Sequence, residues 1–132
     1  MFKNLIITSL LGILTIILGA FGAHALKDSL STEQLLSFET AVRYQMYHVI
    51  VLLIVNGFNF LTNKQKNRVS YFFFAGILFF SGSIYLIQLG KVAAKTIWFI
   101  TPLGGLFFIV GWSFLALFFI KKSRKESEKQ NK

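Results

Sequence analysis

Four side chains stand out as able to do chemistry: His24, Arg43, Tyr47 and His48. Imidazoles move protons or ligate metals, and a guanidinium holds anions. A zinc centre would need His24, His48 and a donor such as Glu39 to converge, with a fourth ligand besides. No H-E-x-x-H or comparable spacing is present. The chain has no Cys, which excludes thiol catalysis, disulfides and Cys-based metal centres. It also lacks a G-x-S-x-G elbow and a phosphate loop. The residue types therefore predict no catalytic centre, no metal and no cofactor.

The elements that carry these residues are apolar. Four runs contain no Asp, Glu, Lys or Arg: Asn4–Leu26, Tyr44–Asn63, Val69–Gly90 and Thr96–Ile120. Each reaches or exceeds the roughly 20 residues a helix needs to cross the hydrocarbon layer. Hydrophobic residues make up 55% of the 132, with 16 Phe. Mean hydropathy is +0.63. That is too apolar for a small soluble domain. The runs do not alternate, so a membrane barrel does not fit. Backbone groups in lipid must bond within their own segment, so the runs should be helices. The expected fold is an all-α membrane protein of four transmembrane helices, at about 5–26, 44–62, 69–90 and 97–120. They form one domain over 1–120, followed by a basic, solvated and unstructured cytoplasmic tail at 121–132.

Between the first two spans, Ser31 and Gln34 have capping-box spacing, flanked by Leu30 and Leu35. Leu35, Leu36, Phe38 and Val42 give a partly apolar face, which predicts a short interfacial helix over 31–43. Glu39 and Arg43 are spaced for a helix ion pair. Thr101-Pro102 fits an N-cap and first helical residue, with Trp98 as an interface anchor.

The net charge is +9. The basic residues lie between apolar runs and in the tail, not along one face, so no nucleic-acid partner is expected. Four spans put both termini and the 64–68 loop on one side. That side holds ten of the 14 Lys and Arg, which makes both termini cytoplasmic. A rival threading takes Ala23-His24-Ala25 as a signal-peptide cleavage site. The apolar stretch before it is longer than a usual signal core, and three more spans follow.

Helices in lipid associate by close contact, which small residues permit. Gly12, Gly19, Gly22 and Ala23 continue a seam begun by Thr8 and Thr15 in span one. Gly82 in span three, and Gly104, Gly105 and Gly111 in span four, are further packing candidates. The implied partners are the lipid bilayer and a second copy or another membrane protein.

With this threading, polar groups of all four spans collect in the outer half of the bundle. One reading is an outward polar pocket of His24, Arg43, Tyr47, His48, Ser83 and Gln88, able to hold a polar or anionic ligand. The simpler reading, which the sequence favours, has Arg43 and Tyr47 reaching the interface. The histidines then bond between helices, and the serines bond back to their own. No Asp or Glu lies in the runs, which counts against a proton-coupled carrier.

Four stretches together, GAFGAHAL, FETAVRYQMYHVIVLL, LFFSGSIYLIQLG and ITPLGGLFFIVGW, resemble the YgdD/YwdK-type family. Its members are small bacterial inner-membrane proteins of unknown function. The resemblance covers roughly residues 5–112. It implies four membrane helices in the bacterial inner membrane, and no activity, substrate or cofactor. It marks Gly19, Gly22, His24, Tyr44, Gln45, Tyr47 and His48 in the first half. In the second half it marks Ser81, Gly82, Ser83, Tyr85, Thr101, Pro102, Gly104, Gly105, Gly111 and Trp112. Gln88 stands where the family carries a small residue. The functional expectation is a non-enzymatic membrane protein acting through helix contacts. The alternative is a small transporter or ligand-binding protein.

Overall fold

The computed structural model describes residues 2–130. Those residues form helices and no strand: α1 (Phe2–His24), α2 (Thr32–Gly57), α3 (Asn63–Gln88), the short α4 (Ala94–Ile97) and α5 (Ile100–Gln130). A π-helical turn, Ile77–Ser81, lies inside α3. The helices α1, α2, α3 and α5 are long and apolar enough to cross a membrane.

The separate interfacial helix expected over 31–43 is not found, because those residues open α2 itself. Ser31 is its N-cap: Gln34 N donates to Ser31 Oγ at 3.3 Å, and Ser31 N donates to Gln34 Oε1 at 2.9 Å. No Gly or Pro follows before Gly57. A nucleated helix extends at little cost until such a breaker, so the capping box starts the spanning helix. The stretch before Tyr44 adds about 18 Å of helix at 1.5 Å per residue. Within it Arg43 donates to Thr40 Oγ1 at 3.2 Å. A second capping box, Thr62 with Gln65, starts α3.

Two further expectations change. The tail past Ile120 is not unstructured: α5 runs on as a helix to Gln130. Lys, Arg, Glu and Gln are good helix formers, and here they extend an existing helix. Asn131 and Lys132, also in that tail, lie outside the described residues. Thr101 is not the cap of α5, which begins at Ile100. Pro102 then falls in the first turn, where its missing N–H breaks no bond. Trp98 just before it is 71% exposed.

Helix α2 is central and packs on α1 and α3, while α3 packs along α5. In the α1–α2 pair, Gly12 faces Val49, Gly19 faces Val42 and Gly22 faces Phe38. In the α3–α5 pair, Gly76 faces Phe108, Phe80 faces Gly104 and Phe73 faces Gly111. The two residue numbers of every α3–α5 pair have one constant total, the mark of antiparallel helices in fixed register. The Phe108 and Phe73 rings enter the gaps where the opposite helix has no side chain, whereas at Gly104 it is the Phe80 backbone that comes close. A Cβ on Gly104 would overlap Phe80 N and lie 2.6 Å from Phe80 Cα. The two backbones therefore touch, a contact only glycine allows.

Candidate functional site

The buried face of α2 carries Gln45, His48, Val49, Leu52 and Asn56, spaced at helical intervals. Arg43 and Tyr47 lie on a different stripe of the same helix and are exposed. One hundred degrees of rotation per residue separates the two sets. The polar side chains of the interior therefore form three clusters along the bundle rather than one pocket.

The first cluster surrounds His48, which is 5% exposed. Its Nδ1 lies 2.7 Å from Tyr44 O, and a carbonyl can only accept, so Nδ1 carries the proton. Nε2 is then an acceptor, and Trp112 Nε1 donates to it at 3.3 Å. The ring lies parallel to Phe108, with centroids 3.6 Å apart, and meets the edge of Phe73 at 5.1 Å. Both ring nitrogens are committed, so His48 joins α2 to α3 and α5 and offers no lone pair to a metal.

The second cluster lies toward the α1–α2 turn. Gln45 Nε2 donates to Leu11 O at 3.1 Å, and Tyr85 OH donates to Gln45 Oε1 at 3.0 Å. Ser81 Oγ donates to Ala41 O at 2.8 Å. Ser83 Oγ and Thr101 Oγ1 are 2.6 Å apart, in the same α3–α5 register as the glycine seam. Gln88 lies further along α3, half-buried, and its Oε1 has no hydrogen-bond partner among the described residues.

The third cluster lies at the opposite, lysine-rich end. Asn4 Nδ2 donates to Asn56 Oδ1 at 3.0 Å and to Asn67 Oδ1 at 2.9 Å. Asn56 Nδ2 donates to Leu52 O at 2.9 Å and Ser70 Oγ at 2.8 Å. Lys66, 2% exposed, extends Nζ to Asn56 O at 3.3 Å. This network ties α1, α2 and α3 together at that end.

His24 is exposed at the end of α1. Gly12 stands level with Val49, so His24 is about 16 Å further along the bundle than His48. The two histidines do not meet. Among the described residues no three His, Cys, Asp or Glu side chains come together. A shallow cavity of about 180 Å³ lies between α1 and α2, lined by Gly19, Gly22, Phe38, Glu39, Val42 and Arg43. Of the six pocket candidates, only Arg43 reaches it. Of the packing candidates, Gly12, Gly19, Gly22, Gly104 and Gly111 face a neighbouring helix. Ala23 is exposed, a Cβ on Gly105 would meet nothing within 4 Å, and one on Gly82 would meet nothing closer than 3.9 Å.

Sequence reasoning passed over Gly76, whose Cβ would strike the Phe108 ring. Its signal was the matched spacing of three, four and three residues on α3 and α5, visible only when the two runs are read together. Trp112, Tyr85 and Lys66 were passed over as partners for the same reason: their bonds cross between helices.

The chain matches the family described as "Protein of unknown function (DUF423)" over residues 18–105. A UPF0382 membrane protein of Staphylococcus aureus is 43% identical over 99 residues, covering 75% of this chain and 80% of that protein. One from Haemophilus influenzae is 39% identical over 114 residues, covering 86% and 90%. The UPF0382 membrane protein YwdK of Bacillus subtilis is 34% identical over 122 residues, covering 89% and 95%. No solved structure matches. Four apolar helices of spanning length and these relatives agree, and the chain belongs to the DUF423 family of UPF0382 membrane proteins.

Proposed function

We propose that this is a non-enzymatic, multi-pass protein of the bacterial inner membrane that acts by contact with a second copy or another membrane protein. The observation that carries this reading is the closed interior. His48, Gln45, Tyr85, Ser81, Ser83 and Asn56 bond to groups of the same chain, which leaves little for substrate chemistry. The glycine seams are also used within the chain, so a partner would meet an outward face. Helix α1 supplies one, since it packs chiefly on α2 along a single stripe. Both termini are assigned to the cytoplasm, from the ten basic residues at their end.

The chain has no Cys, so single cysteines report contacts cleanly. Ala20→Cys, on the exposed face of α1, should cross-link in native membranes to a dimer or a defined larger product. Gly22→Cys, facing Phe38, should not. Monomer alone at every outward α1 position would refute the reading. A C-terminal reporter active outside the cytoplasm would refute the orientation.

A second reading, a ligand-binding protein, is favoured by the cavity beside Arg43. Native mass spectrometry from membrane-derived nanodiscs tests it. A retained small molecule lost in Arg43→Gln would support this reading over the first.

A further inference from the structure

At the lysine-rich end, a cavity of about 470 Å³ opens between the α2–α3 turn and the far part of α5. Its apolar floor includes Phe60 and Phe118. Its rim carries Lys121, Lys122, Arg124 and Lys125. An adjoining cavity of about 260 Å³ shares Phe118 and adds Lys64 and Arg68 from α3. Neither cavity is lined by an Asp or Glu. We infer that this groove binds the headgroup of an anionic phospholipid, with the phosphate on the cationic rim and the first acyl carbons on the phenyl floor.

Three features carry the inference, and none depends on the function proposed above. The first is depth. The charge-free run of α5 stops at Ile120 and the cations begin at Lys121, so the rim stands where hydrocarbon gives way to water. The second is construction. Lys122 Nζ donates to Phe60 O at 3.4 Å, joining α5 to the turn, and the Arg68 guanidinium lies 5.3 Å from the Phe114 ring centroid. The continued helix holds Lys121, Lys122 and Lys125 on neighbouring positions, which an unstructured tail would not do. The third is chemistry. A soluble phosphate has no use for an aromatic floor, whereas a phospholipid presents a phosphodiester and a hydrocarbon chain together. Six converging cations without a carboxylate suit one or two negative charges.

The test uses the full chain in phosphatidylcholine nanodiscs doped with phosphatidylglycerol, released into a native mass spectrometer. The expected result is retained phosphatidylglycerol in preference to phosphatidylcholine. Lys121→Gln combined with Lys125→Gln should lower that preference roughly thirtyfold, at the usual worth of a lysine beside anionic lipid. Lys121→Arg combined with Lys125→Arg should keep it. Lys129→Gln removes one charge from the same helix but lies off the groove, and should change little. A loss of roughly fivefold with Lys129→Gln, the share of one lysine in the effect of the pair, would mean diffuse attraction and overturn the site. No preference in the unaltered protein would overturn it too, whatever the variants do. Displacement of the lipid by glycerol 3-phosphate would assign the groove to a soluble phosphate and overturn the lipid.

Discussion

Replacing Gly104 with Ala tests the packing argument most sharply. A Cβ there would overlap Phe80 N and lie 2.6 Å from Phe80 Cα and 2.7 Å from Phe79 C. Carbon atoms pack at roughly 3.5–4.0 Å, so the two backbones must part by about 1 Å. No side-chain rotation can relieve a clash with backbone. The same displacement loosens the Phe108 ring from Gly76 and the Phe73 ring from Gly111, because all three pairs share one register. The cost should lie at the upper end of the overpacking range, about 3 kcal/mol. Gly105→Ala is the control: it makes the same helix-propensity change one residue away, where a Cβ meets nothing within 4 Å. The difference between the two variants is then the packing term alone. Unfolding followed by helix signal in mixed micelles of increasing SDS fraction measures it. Equal stability of Gly104→Ala and Gly105→Ala would refute the reasoning.

Other outcomes follow from the same contacts. His48→Ala removes a ring stacked on Phe108 and the acceptor for Trp112, so it should cost about 3 kcal/mol and change Trp112 fluorescence. His48→Phe keeps the stack and should cost nearer 1 kcal/mol. A double-mutant cycle between Asn4→Ala and Asn56→Ala should give a coupling of about 0.6 kcal/mol, typical of hydrogen bonds between membrane helices. Additive effects there would place α1 outside the network. Ser31→Ala should cost about 1 kcal/mol and speed amide exchange in the turn after residue 31, not at Tyr44. Protection that begins only near Tyr44 would contradict the continuous α2.

Much of the architecture was legible in residue order. Charge-free runs of spanning length have few physical solutions, so the number of spanning helices follows from counting. The Ser31 capping box was legible as a helix start, because its bonds are local. Its meaning was not: whether the helix stops before Tyr44 or runs on depends on the absence of any breaker and on packing along α1. The tail past Ile120 was misjudged because composition shows only that it is polar. Whether a polar segment is ordered depends on the helix it continues.

The candidate site was less legible. Arg43, Tyr47 and His48 are close in sequence, yet the helix turns Arg43 and Tyr47 outward and His48 toward Phe108 and Trp112.

The sequence by itself determined the membrane class, the four spans and the basic end, because these are sums over composition and length, and the resemblance of four motifs in order pointed to the family. Tertiary structure alone decided which glycine enters a seam and which faces out. Gly104 and Gly105 are neighbours in the chain, but one helical step of 100° puts the first against Phe80 and leaves the second open. Rotation and register are set by the opposite helix, so that choice is not written in either segment alone.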